Sequence, residues 1–271
     1  MKWKSRLVFF SSGILILSCL GLVLFFCRRP EIYWGIKLKM SPNCTYPAGN
    51  ECSAGFYCVF LEPDHSKCVA SDNEVPVVLF PREPTSKTVC TQPARSNVGR
   101  THSYLNTVFA VDLSSPAGEP NAQIRAVFDG IAISSVGCEN KDGEKFNNDR
   151  CGYGFGNWIL LFDQNSELMA FYAHLRSTLV KDNQHIKKGE IIGEEGKTGA
   201  AGHRHLHFSI HRNILKLDGK KVKQYGIWLP PSIPFKTDIR MGDQIERGVS
   251  VTELPCVDSN DLSRPPFYGA F

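Results

Sequence analysis

The run His205-Leu206-His207-Phe208-Ser209-Ile210 constrains the fold of this 271-residue chain more than any other stretch. Leu206, Phe208 and Ile210 alternate with His205, His207 and Ser209, and a period of two belongs to a strand, not a helix. The pattern predicts a half-buried β-strand with both imidazoles on one face, about 7 Å apart. Two histidines so placed can divide labour, one holding a metal and the other reaching a water or substrate beside it. Two solvated histidines on an outer sheet face give the same pattern, so the motif needs company. His211 continues the parity and reads as an exposed histidine, and His203, flanking the strand, as a bystander.

Further short alternating or apolar stretches lie at 77–80, 108–113, 130–136, 157–162 and 167–174. The 23 glycines and 16 prolines of the chain punctuate them, and almost no long helical period interrupts them. The expected fold is mainly β, an antiparallel sandwich or barrel-like catalytic domain over residues 75–271, large enough to bury a proper core.

The order of several motifs adds to this. Phe109-Ala110-Val111-Asp112-Leu113 leads into the turn Ser115-Pro116-Ala117-Gly118 and then Asp129-Gly130. Tyr172-Ala173-His174, Lys188-Gly189, Ile192-Gly193 and Lys197-Thr198-Gly199 follow, before His205-Leu206-His207. From about Gly99 to Ile233, roughly half the chain, this order resembles the lysostaphin/LytM-type zinc metallopeptidases, peptidoglycan endopeptidases with a duplicated hybrid motif fold. The resemblance implies that Asp112 and His207 bind zinc and that His174 and His205 are catalytic. The family's usual first ligand is a histidine four residues before the aspartate, where this chain has Val108. Some members place it further upstream, and Gly99-Arg100-Thr101-His102 … Asn106 … Ala110-Val111-Asp112 resembles that arrangement. His102 is then the third ligand; otherwise Asn106, or no residue, completes the site.

The chemistry is consistent with that assignment. A catalytic zinc ion takes three protein ligands of His and carboxylate type and keeps a position for water, whose pKa it lowers towards about 7. No Glu belongs to the motifs as a general base, so His174 and His205 are the natural proton handlers. His65, in a Cys-rich segment, and His185, before Ile186-Lys187-Lys188-Gly189, read as bystanders.

Residues 7–27 carry no charge and are rich in Leu, Val, Ile and Phe. At 1.5 Å per residue they span about 31 Å as a helix, the thickness of a bilayer core. Lys2, Lys4 and Arg6 precede the run, and Arg28 and Arg29 follow it. A cleaved signal peptide or a lipoprotein signal around Cys19 competes with a retained anchor. The run continues past Cys19 without a small-x-small end, which favours the anchor. The expected layout is a cytoplasmic stub and transmembrane signal anchor over 1–29, a Cys-rich mini-module and linker over 30–74, and the metallopeptidase domain over 75–271.

Outside the apolar run stand eight cysteines, at 44, 52, 58, 68, 90, 138, 151 and 256. An even set in a chain with an export signal predicts disulfides in an oxidising compartment, the periplasm or cell envelope. Proximity favours two bridges among Cys44, Cys52, Cys58 and Cys68, one between Cys138 and Cys151, and one between Cys90 and Cys256. A net charge of +4 is mildly basic, and no Lys/Arg tract or phosphate loop points to nucleic acid. Three functions remain open: a zinc endopeptidase acting on peptidoglycan, a catalytically inactive relative that binds wall or activates another hydrolase, and an exported metalloprotease acting on protein.

Overall fold

The computed structural model describes residues 52, 56–62, 65–70, 75–95, 101–102, 104, 106–141, 150–213, 229–230, 232–250, 254, 256 and 268–269. The apolar run 7–27 and Cys44 lie outside the described residues.

A hairpin of β1 (Phe56–Glu62) and β2 (His65–Ala70) comes first. Then follow β3 (Val77–Val78), β4 (Val89–Gln92), β5 (Val111–Ser114), β6 (Gln123–Arg125), β7 (Gly130–Ser135), β8 (Asn157–Phe162) and β9 (Leu168–Leu175). After these come β10 (Ser177–Thr178), β11 (Gln184–Ile186), β12 (Ile191–Glu194) and β13 (Leu206–Arg212). The last strands are β14 (Ser232–Ile233), β15 (Lys236–Met241), β16 (Gln244–Ser250) and β17 (Tyr268–Gly269). The helical piece among the described residues is a short 3₁₀ turn at Cys151–Gly154.

The fold is mainly β and its sheets are antiparallel but for the pairing of β3 with β15. The main sheet runs β11-β7-β8-β9-β13-β5-β4, with β14 added beside β13. A second sheet, β10-β12-β6, is packed close to it, with Gly193 of β12 against the side chains of Leu175 and Ile159. A Cβ on Gly193 would approach the Ser177 carbonyl to 2.7 Å, so this contact requires glycine.

The expectation of a half-buried strand at 205–211 needs correction; the strand is Leu206–Arg212. Leu206 to His211 are buried on both faces, as are all of β8 and β9. Beneath one face, Tyr172 and Phe208 pack at 5.1 Å between ring centroids and Phe208 meets Phe235 at 5.3 Å. The other face carries Ile133, Trp158, Leu160, Phe162, Met169 and Phe171. The polar residues of β13 therefore do not face open water. They stand at the end of an apolar face, and Phe208 is the kind of fully buried ring whose truncation to Ala costs about 3–5 kcal/mol.

Disulfides join Cys52 to Cys68, Cys138 to Cys151 and Cys90 to Cys256. The last ties β4 to a residue 166 positions away.

Candidate active site

Strand register builds the first half of the site. β13 lies between β5 and β9, so His207 pairs directly with Asp112 on one side and with Ala173 on the other. Directly paired residues share a face with Cβ atoms about 4.5–5.5 Å apart, within reach of a common atom. His207 Nδ1 accordingly lies 3.0 Å from Asp112 Oδ1.

His102 arrives by another route. It sits in a turn, wholly buried, with Nδ1 3.1 Å from the Pro93 carbonyl. The Thr107 hydroxyl donates to the Thr101 carbonyl at 2.6 Å, and the Gln92 amide to the Thr101 hydroxyl at 2.6 Å, which hold the turn against β4. His102 Nε2 then stands 3.1 Å from Asp112 Oδ1 and 3.2 Å from His207 Nδ1. Three donor atoms form a triangle with sides of 3.0 to 3.2 Å. A tetrahedral ion with bonds of 2.0–2.1 Å spaces its ligand atoms by about 3.3 Å, so the triangle is close to the face such an ion requires.

The tautomers agree with a cation. A carbonyl only accepts, so His102 Nδ1 carries a proton and Nε2 is the nitrogen turned inward, as a metal-binding imidazole requires. Burial pushes the Asp112 carboxyl up, but the electrostatic pull of His102 and His205 and the hydrogen bonds from His102 and His207 outweigh it, leaving Asp112 well below the usual range. Burial lowers His207, against the opposing pull of Asp112. His102, Asp112 and His207 are the group of this kind found among the described residues. His207 Nε2 is buried with no hydrogen-bond partner, so its tautomer is set from the Nδ1 side alone.

The second half is a pair of imidazoles beside this triangle. His205 Nδ1 donates to the His203 carbonyl at 2.8 Å, directing Nε2 toward Asp112 Oδ2 at 3.6 Å. His174 Nδ1 donates to the Thr198 carbonyl at 2.8 Å, and its ring lies 4.7 Å from that of His205. By strand alternation His174 belongs on the opposite face, since its neighbour Ala173 is the residue that pairs with His207. A β-bulge redirects it. Two residues of β9, Ala173 and His174, oppose the single Trp158 between Asn157 and Ile159, and His174 takes φ +61. A bulge with a left-handed residue turns a side chain to the other face, and histidine is among the residues that tolerate the conformation.

The surrounding network holds the bulge in place. The His174 amide donates to the Phe155 carbonyl at 2.8 Å, and the Thr198 hydroxyl to the Leu175 carbonyl at 2.9 Å. Asn157 donates its backbone N–H to the Thr198 hydroxyl and grips both N and O of Cys138 through its side chain. A Cβ on Gly156 would run into Thr198, so the loop after the Cys138–Cys151 bridge approaches only because residue 156 is glycine, at φ +66. Burial first, then the charges at His205 and His207, hold His174 well below the ordinary histidine value. It is therefore neutral, with the proton on Nδ1 and Nε2 unprotonated.

The structure thus brings together all five residues singled out from the sequence, and the apolar Val108 is buried with no atom to offer a metal. Two bystander readings need correction. His211 is fully buried, bonded to Ser209 and to the Pro230 carbonyl. His203 packs on the His205 ring at 4.8 Å. Phe155, with its ring 5.8 Å from His207 and 6.4 Å from His174, is a further contact the sequence did not reveal. An aromatic after a Gly-Tyr-Gly turn carries no distinctive pattern.

Residues 107–223 match the profile of Peptidase family M23. The chain is 36% identical over 77 residues to an uncharacterized metalloprotease of Haemophilus influenzae, covering 28% of this chain and 15% of that protein. It is 34% identical over 100 residues to glycyl-glycine endopeptidase ALE-1 of Staphylococcus capitis, covering 37% of this chain and 23% of the relative. The chain therefore spans less than a quarter of either relative. Against the solved catalytic domain of lysostaphin from Staphylococcus simulans the identity is 23% and the TM-score 0.34, over 50% of this chain and 86% of that one. His102 and β4 precede the matched residues. From residue 107 to 223 the chain carries the Peptidase family M23 match, and proteins of the lysostaphin type are among its relatives.

Proposed function

We propose that this protein is a zinc metalloendopeptidase that hydrolyses peptide stems or cross-links of peptidoglycan. The observation that carries the reading is the triangle of His102 Nε2, Asp112 Oδ1 and His207 Nδ1 with two imidazoles beside it, each fixed through Nδ1. The relatives whose names state a wall-directed activity, such as glycyl-glycine endopeptidase, suggest the substrate class.

His102, Asp112 and His207 would hold the ion. Zinc bound there would acidify a water and polarise the scissile carbonyl. The remaining work falls to the chain. His174 Nε2 and His205 Nε2 accept the proton of the attacking water and return it to the leaving amine. Asp112 Oδ2, 3.6 Å from His205 Nε2, is close enough for its charge to stabilise a proton arriving there. Fixing both rings through backbone carbonyls removes the cost of orienting them at each turnover.

In this proposal residues 7–27 anchor the chain in a membrane, residues 30–74 form a disulfide-rich module, and residues 75–271 work outside the cytoplasm. The test is metal analysis of the purified chain together with a digest of cross-linked muropeptides. About one zinc per chain and new peptide ends are expected. A zinc-loaded protein that releases no ends from any sacculus would overturn the hydrolase reading.

A further inference from the structure

His203 has no role among the residues matched to the family motifs, yet it touches His205 in two ways. Its carbonyl accepts the His205 Nδ1 proton, and its ring lies on the His205 ring at 4.8 Å with 32° between planes. Its own Nε2 reaches Thr91 Oγ1 at 2.9 Å, and that hydroxyl also lies 3.1 Å from Ser114 Oγ. Thr91 belongs to β4, whose Gln92 pairs with Asp112 and which runs on to Pro93, the acceptor for His102. An imidazole turns about only two side-chain bonds. A bond at Nδ1 and a ring against one face together restrict both.

We propose that Thr91 and His203 are positioning residues that orient His205: the Thr91 hydroxyl holds the His203 ring, and His203 holds the His205 tautomer and plane. The strand that carries the His102 contact thereby also sets the proton-transfer partner. This inference rests on the metallopeptidase reading for its kinetic consequence, but not for its geometric one.

The test uses Thr91→Val, which removes the hydroxyl at constant shape, beside Thr91→Ser, which keeps it. Thr91→Ala serves if valine does not fit. On the full-length, zinc-loaded protein, Thr91→Val should lower kcat by about tenfold, the lower end for loss of an orienting contact. KM and zinc content should stay unchanged, and Thr91→Ser should recover wild-type kcat. In ¹H–¹⁵N spectra of the histidine rings, the His205 Nδ1–H signal should be sharp in wild type and Thr91→Ser and broadened in Thr91→Val. A Thr91→Val protein with wild-type kcat, or with zinc lost in step with activity, would overturn the proposal. If the wild type cleaves nothing, the functional reading fails, and the ring spectra still decide the positioning claim: an unchanged His205 signal sinks it.

Discussion

Within the triangle of His102, Asp112 and His207, two halves reach the same point by different means. Asp112 and His207 stand opposite each other on neighbouring central strands, fixed by a ladder of backbone hydrogen bonds and by Leu206 and Phe208 beneath them. His102 comes from a turn ahead of the matched domain, held by the Pro93 carbonyl and by contacts to β4. The first half follows from pairing register, so it tolerates little variation in spacing. The second follows from one loop reaching over, so the histidine can move along the sequence while its nitrogen ends in the same place. The ten-residue spacing from His102 to Asp112, in place of four, is a consequence of that freedom.

Removing each half in turn gives the largest effects. His207→Ala takes a ligand from the register-fixed half, and zinc occupancy should fall to background by elemental analysis, with activity lost. His102→Ala should weaken zinc as well, but leave the strands and the fold intact by circular dichroism. If His102→Ala retains full zinc and full activity, the loop-borne half is no ligand and the comparison collapses. His174→Ala and His205→Ala should keep zinc and reduce turnover by about a hundredfold or more, the scale for a positioned proton-transfer group.

Gly156→Ala sharpens the picture with a smaller effect. It presses a methyl group into Thr198, the residue whose carbonyl orients His174, at a left-handed position. A stability loss of about 1–3 kcal/mol is expected by denaturant titration, with kcat falling more than zinc content. The smallest effect is the pH response of the metal-free protein. Burial lowers His174, and it lowers His203 to about 4, so the unfolded chain binds protons at both sites before the folded one does. Stability should therefore decline as pH falls from about 6.5 towards 4, and the fall of Tm in that window should be shallower, not abolished, in His203→Gln, because His174 remains.

The sequence made the register-fixed half legible because a strand period of two places side chains on faces without reference to distant residues. His205 and His207 share a parity, and Asp112 lies in an apolar strand that needed only a partner. His174 was placed by its Tyr-x-His motif, although its alternation points the other way. The bulge that corrects it depends on Asn157, Thr198 and Gly156, which are distant in sequence and silent as a pattern. The surroundings of His203 and His211 escape the sequence for the same reason. Flank and parity say nothing about the layer that covers both faces of β13. The carbonyls of Pro93, Thr198 and His203, which fix three imidazoles, have no side-chain identity to read.

The Cys90–Cys256 bridge has a consequence for timing. It closes on β4, but its second cysteine follows His207 in the chain. A polypeptide still being made has Asp112, His174, His205 and His207 in hand while β4 is held by its pairing with β5 and not yet by a covalent bond. The covalent lock on β4 is thus the last of the described bridges whose second cysteine is synthesised, added to a strand that pairing has already placed.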